Sequence, residues 1–578
     1  MKLQKLSAGL LTALEDYGQE GSIGLTRHVR TLGVVPSLGT PKPSRTVVFI
    51  ECDEHASFAQ LAQEEIFVNQ PSGRMRTGFL PMEGLDALSE DPQVHRIISS
   101  RFRQPLMDVA VGRVNVTKFR NNTHLNGSGV VIGIVDTGID PNHPAFTGRI
   151  LRIWDQTLSG PGVAEGTYGL ELTGTNITAS RDTRGHGTHV AGIAAGNDSH
   201  FGGIAPNARL VIVKSDLMDA HIADGVRYIF RIARELHQPA VVNLSLGGHW
   251  DAHDGSDPMA QIVTSESGPG RIVCCAAGNE GNDNIHGQTT IAPNQTGTMR
   301  FKVPSNAVHE GILNGWYSGA AALEISVRSP GGFVTTPQPV ITSGSPTRSY
   351  NLPDALVRVT TPRPDPANGD LHFLVQVSGA LPGTNAKGGT WQLIARNTSA
   401  ISARLDVWAL DDKNGKEITF TGDSKQDAVK IGSPGCAAAA ITVAAFTTRK
   451  QWRDIDGIQR TVGLSQGEIS DFSSEGPLRS NAQKPDVTAP GAMIASALSR
   501  DSAPKRSFMI DSRFLVEAGT SMATPFVAGI VALLLQRNPQ LDPASVKNLL
   551  RAASKIPNKA AGTFHPKWGF GLIDAQRL

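Results

Sequence analysis

Three segments combine a side chain suited to nucleophilic chemistry with a high density of small residues. Asp136 closes the apolar run VVIGIVD and is followed by Thr137-Gly138. His186 stands between two glycines in RGHGTHVAG, and Ser521 lies in GTSMATP. A serine hydroxyl attacks a carbonyl only while a base removes its proton, and histidine serves as that base near neutral pH. The imidazole in turn needs a carboxylate to accept its other N–H and hold the tautomer. Asn279, in AAGNEG, adds an amide that could donate to an oxyanion beside the backbone N–H of Ser521. Such a donor is typically worth about 2.7–4 kcal/mol of transition-state stabilisation. Singly, each residue has an ordinary reading: the aspartate as a turn former, the histidine as structural, the serine as an N-cap. As a set they point to Ser521 as nucleophile, His186 as general base and Asp136 as the group orienting the histidine. His189, one position beyond Thr188, reads as structural.

The elements that must hold these residues are α/β in texture from Gly129 onward. VVIGIVD, ARLVIVK, AVVNLSL and RIVCCAAG are strands, interleaved with the helices GTHVAGIAAG and DGVRYIFRIARELH. Continuous rather than alternating apolar strands predict a parallel sheet covered on both faces. Asp136, His186 and Ser521 all map to its carboxyl edge, where open parallel sheets bind ligands. Ser521, opening a helix, also gains from the positive end of the helix dipole. Between about Asn282 and Lys430 the helical period disappears, and segments such as MRFKVPS, LHFLVQVSG and ARLDVWAL alternate between turns. That pattern predicts a β-sandwich or jelly roll. It is inserted, because the α/β texture resumes at AAAAITVAAF and closes with two helices. Residues 46–102 read as βαββαβ, the split βαβ order of ferredoxin-like domains. The expected division is 1–44 (helix and linker), 45–105 (α+β domain), 106–281 with 431–578 (α/β domain) and 282–430 (β insertion).

VDTGID, GHGTHVAG, SLGG, AAGNEG and GTSMATP, in that order, resemble the signature segments of the subtilisin-like serine peptidases. The resemblance covers about residues 129–281 and 431–578. It implies a subtilisin-type serine endopeptidase that hydrolyses protein or peptide substrates through an acyl-enzyme and is autoprocessed from a pro-form. It further implies that Ser245, Leu246 and Gly247 form a wall of the substrate cleft and pair with peptide backbone as an added strand. Gly278 would border the specificity pocket opposite them. The 45–102 unit looks like the family's pro-domain, a folding aid and intramolecular inhibitor. Its exit segment SRFRQPLMDVA would thread the active site and carry the self-cleavage bond, within about 101–112. GNDSHFGGIAP is shorter than the loop that holds a tight calcium in secreted relatives. No metal is therefore expected there, and Asp140, Asn197 and Asp198 read as turn residues. The chemistry needs no cofactor, and a structural calcium elsewhere stays open. The insertion resembles inserted domains of some bacterial relatives, which would narrow the cleft or bind a partner.

Composition excludes little else. A chain of 578 residues implies two or three domains, and a formal net charge of +2 gives no reason to expect nucleic acid or an anionic membrane as partner. Cys52, Cys274, Cys275 and Cys436 are too scattered for a disulfide framework and contain no C-x-x-C pair. In the N-terminal stretch Glu15 and Asp16 interrupt the apolar residues before a secretory core is complete. Leu10, Leu11 and Leu14 instead read as one face of an amphipathic helix. No apolar run reaches the roughly 20 residues of a membrane span. The expectation is a cytoplasmic protein, with export by a non-classical route as the alternative. Two other functions compete: capture of the acyl-enzyme by an amine, and a pseudoprotease acting as an interaction module. The presence of Asp136, His186 and Ser521 together speaks against the latter.

Overall fold

A computed structural model describes residues 1–29, 31–39, 42–101, 104–105, 115–304, 310–381, 384–411 and 418–578. The chain divides into two compact units, Met1–Phe102 with Asp283–Asp427, and Arg103–Asn282 with Ala428–Leu578. Most of the stretch expected to hold the self-cleavage bond lies outside the described residues.

The second unit is built on a parallel sheet. Val487–Ala497, Ile441–Thr447, Arg271–Ala276, Ala240–Leu244, Val131–Asp136, Arg209–Lys214 and Ile150–Asp155 are neighbours in that order, each pair parallel. Every residue of Val131–Asp136 is buried, which is why this strand reads as a continuous apolar run. Ile132 and Ile134 share a core with the helices His186–Ala195 and Thr520–Arg537. Gly133 and Val135 face the other way, against Ile229 and Gly225 of the helix Asp219–Glu235. By length and composition Thr520–Arg537 could cross a membrane, but it is buried from Thr520 through Leu535. A helix packed on every side carries apolar residues all round for that reason.

The first unit contains an antiparallel sheet and a two-sheet sandwich. Val94–Ser99, Arg45–Cys52, Met75–Pro81 and Phe67–Val68 lie side by side in that order, all antiparallel. This is the strand order of a split βαβ unit. Its first crossover contains the 3-10 helix Ala59–Glu64 rather than an α-helix, and its second the α-helix Gly84–Glu90. In the sandwich a seven-stranded and a four-stranded sheet enclose Phe301, Val357, Phe373, Trp391, Leu393 and Phe420.

Residues 1–44 are more than a helix and a linker. Leu6, Leu10, Leu11, Leu25 and Leu32 are buried in one cluster with Val48, Ile50 and Ile97, and Val34–Val35 pairs with Arg45 and Thr46. The spacing of Leu10, Leu11 and Leu14 shows the helix, but Leu25 and Leu32 stand apart and show no period. The burial of Leu10 makes Leu10→Ala a test of the first unit's core. We expect it to lower stability by about 2–5 kcal/mol in urea unfolding; a change within about 0.5 kcal/mol would mean that this segment is a dispensable appendage.

Candidate active site

Asp136 ends its strand almost wholly buried, at 1% exposure. Its Oδ1 lies 2.7 Å from His186 Nδ1 and accepts the Thr137 N–H at 2.7 Å. With Nδ1–H donated to the carboxylate, Nε2 is the ring nitrogen left to act as a base. His186 is the first residue of its helix, set there by a close backbone approach. A Cβ on Gly187 would stand 2.1 Å from Gly138 O, and Gly187 N–H donates to Thr137 Oγ1 at 3.0 Å.

Ser521 reaches the same edge from the Thr520–Arg537 helix. The register that pairs Asn243 with Ile134 sets Ser245, just beyond the end of its strand, level with Asp136. Ser521 Oγ donates to Ser245 O at 2.9 Å, and Ser245 Oγ donates to Ser521 O at 2.6 Å. Proline explains the second bond. Pro525 has no N–H to give to the carbonyl four residues back, so Ser521 O is left for a side-chain donor. Asn279 is oriented by Thr520, the residue before Ser521: its Oδ1 accepts from Thr520 N at 2.9 Å and from Thr520 Oγ1 at 3.1 Å. That contact fixes which end of the amide is the donor. Gly278, at φ +110°, holds a backbone conformation that L side chains rarely adopt, and a Cβ would meet Ser474 Oγ at 2.6 Å and Glu280 Oε2 at 2.7 Å. Leu246 and Gly247 pair antiparallel with Pro105 and Gln104 of the same chain.

The model of the subtilase family matches residues 127–310 and 378–571. The chain belongs to that family. Curated relatives include serine protease AprX of Bacillus subtilis, 26% identical over 483 residues, covering 80% of this chain and 70% of the relative. Subtilisin-like protease SBT2.6 of Arabidopsis thaliana is 25% identical over 521 residues, covering 75% of this chain and 60% of that protein. Among solved structures, the CspB protease of Clostridium perfringens superposes with a TM-score of 0.66 at 23% identity, covering 80% of this chain and 97% of that one. The chain is a subtilisin-like serine endopeptidase.

Two carboxyl groups of this subtilase site escaped the sequence reading. Asp182 is fully buried and caps the His186 helix. Its Oδ1 accepts from Gly185 N and Thr137 Oγ1, and its Oδ2 from Thr188 N and Thr188 Oγ1, all within 2.7–2.9 Å. An acid shortly before a Gly-rich helix start is the signal that could have found it. Glu517, four residues before Ser521, is buried with Oε2 3.8 Å from His189 Nδ1, and that oxygen has no hydrogen-bond partner among the described residues. Burial pushes its carboxyl up to about 7, with Asp182 and Asp136 adding to the rise and His186 opposing it. Burial holds His189 down to about 3, so it is a neutral ring, and its Nε2 lies 3.1 Å from Ile494 O.

Asp140 and Asp198 accept backbone N–H groups of their own turns, at Asn142 and at His200 and Phe201. Among the described residues Asp251, Asp257 and Cys436 could together hold a metal ion. Their oxygens already accept from Ser433 N, His253 N and Met259 N, and burial raises the Cys436 thiol well above its ordinary value. Cys274 and Cys275 are buried free thiols, likewise raised by burial.

The Glu517 carboxyl carries a pH signature. It keeps its proton in the folded protein to about pH 7, whereas an unfolded glutamate releases it near 4.5. Its favourable contribution is therefore complete below pH 4.5 and lost as pH rises through 7. Relative to wild type, Glu517→Gln should gain roughly 3 kcal/mol between pH 4.5 and pH 8 in urea unfolding. A difference that stays constant across that range would contradict the assignment.

Proposed function

We propose that Ser521 Oγ attacks the carbonyl carbon of an extended peptide while His186 Nε2 takes its proton. Asp136 stays ionised and stabilises the imidazolium. In this geometry the hydroxyl first leaves Ser245 O, a rotation about one side-chain bond. The tetrahedral oxyanion is met by Asn279 Nδ2 and the Ser521 N–H at the start of its helix. His186 then gives its proton to the leaving amine, the C–N bond breaks, and water repeats the sequence to free the acyl group. Every proton transfer uses a side chain of this protein, so the reading calls for no cofactor. The observation that carries it is the 2.7 Å contact between Asp136 Oδ1 and His186 Nδ1.

The substrate side of the reading rests on the pairing of Leu246 and Gly247 with Pro105 and Gln104. Ser245, Leu246 and Gly247 form the wall that binds substrate as a strand, and Gly278 borders the pocket opposite. Antiparallel pairing carries the chain from Gln104 at Gly247 to Pro105 at Leu246, toward Ser245, whose carbonyl holds the nucleophile. We place the processing bond just beyond Pro105, and assign the N-terminal domain the role of intramolecular inhibitor until that bond is cut.

A fluorophosphonate probe tests the nucleophile. Wild type should label and, on a denaturing gel, show an N-terminal fragment cut from the remainder, with the mature N-terminus found by sequencing within the first few residues after Pro105. Ser521→Ala should do neither. Labelling of the variant, or processing far from Pro105, would refute the respective assignment. Because the base must be neutral, peptidase activity should climb from acid to neutral pH and stay high on the alkaline side. A sharp optimum near pH 4 would contradict the mechanism.

A further inference from the structure

The strand Phe514–Ala518 leads into the helix that carries Ser521, and it pairs antiparallel with Val487–Ala497, Glu517 opposite Ile494. The helix His186–Ala195 packs on Val487–Ala497. His189 is fixed in that contact at two points. Its Nε2 lies 3.1 Å from Ile494 O, and its own carbonyl accepts from Ser496 Oγ at 2.8 Å. The ring is fully buried and neutral, because burial outweighs the carbonyls of Ile494 and Leu515, which favour the charged form. A neutral ring that donates Nε2–H to Ile494 O carries a lone pair on Nδ1. That lone pair faces Glu517 Oε2 at 3.8 Å, and neither atom has a hydrogen-bond partner among the described residues.

Two acceptors that face each other in a dry site repel unless a proton stands between them. The geometry therefore asks for one proton on the pair, and the neutral ring leaves it to the Glu517 carboxyl. The charged surroundings are sparse. Val487–Ala497 has no ionisable side chain, and the Ser521 helix has none before Arg537. Arg506, on the 3-10 helix Arg506–Phe508 beside the strand, pairs with Asp456, while Asp511 and Arg513 stand before the strand begins and His143 is bound to Arg513 O. Asp136 and Asp182 oppose ionisation of Glu517, and a charged His186 favours it. His186 and His189 are three residues apart on one helix, so they share a face.

His186 alone among these groups gains a charge during the reaction, when it takes the proton of Ser521. Coupling between two proton sites is reciprocal: if an imidazolium at His186 favours ionised Glu517, then ionised Glu517 favours the imidazolium by the same factor. We propose that Glu517 is a positioning residue that acts on the catalytic base through charge: it and His189 hold one proton between them, and loss of that proton strengthens His186 and speeds acyl transfer. The carboxyl group does not touch the substrate. With its proton it leaves His186 as it is; without it, its charge stabilises the imidazolium of the transition state. This rests on the reading of His186 as general base given above.

The test compares kcat and KM of processed wild type and Glu517→Gln from about pH 5 to about pH 9. The two should be equal near pH 5, where Glu517 is neutral, and wild type should be about fivefold faster near pH 9, with the difference in kcat. A purely structural role would lower the rate by one factor at every pH, so a constant ratio, whether one or more, would overturn the proposal. A second readout does not use activity. In full-length Ser521→Ala protein the His186 ring is titrated by NMR with labelled histidine, its signal identified by its loss in His186→Ala. Adding Glu517→Gln should lower the His186 midpoint by up to about 0.7 pH unit, the equivalent of that fivefold. An unmoved midpoint would overturn the proposal with the base assignment intact. A midpoint that moves while the rate ratio stays flat would overturn it through that assignment. Should the glutamine variant not fold, the Ser521→Ala protein decides alone: its His186 should titrate in two steps, and a simple one-proton curve would overturn the proposal.

Discussion

A carboxylate in a nearly dry site needs compensation, and at Asp136 that need organises the site around it. The anion is 1% exposed and is met by the Thr137 N–H and His186 Nδ1. A buried charge is stable only when paired and hydrogen-bonded, so the imidazole cannot drift without cost. Holding Nδ1–H on the carboxylate is also what leaves Nε2 basic. The strand that ends at Asp136 must therefore be fixed against the helix that begins at His186. Asp182 does much of that fixing, by capping the helix and binding Thr137 Oγ1.

The same constraint explains why the motifs are rich in small residues. Gly187 lies against Gly138, and Gly278 is held at φ +110° beside Ser474 and Glu280. Pro525 leaves Ser521 O to Ser245, which ties the start of the Thr520–Arg537 helix to the residue that follows the Ala240–Leu244 strand. Thr520 orients the Asn279 amide through two hydrogen bonds. These residues hold His186, Asn279 and Ser521 in place.

Much of this was legible in the sequence, for a physical reason. Continuous apolar strands announce a sheet buried on both faces, and Gly-flanked reactive residues at strand ends announce the edge that binds ligands. Asp136, His186, Ser521 and Asn279 could all be located on those grounds. Asp182 and Glu517 could not, because a lone acid shows nothing of its burial until distant segments pack over it. Beyond the helical face at Leu10, Leu11 and Leu14, residues 1–44 read as linker because the buried Leu25 and Leu32 are too isolated to show a period. The inserted strands around Arg358 and Gln376 alternate as though one face were solvated. Only the partners of those residues, Asp16, His28 and Thr31, reveal that this face is covered.

The most direct test of the central claim is kcat/KM for Asp136→Asn on a peptide substrate, with the pro-domain removed and the fold verified. An asparagine in this position can donate to Nδ1 and so reverse the tautomer while leaving the shape of the site intact. The account predicts a loss of roughly ten-thousandfold at neutral pH. A loss smaller than about tenfold would contradict it, because His186 would then be a competent base without the carboxylate that the structure places against it.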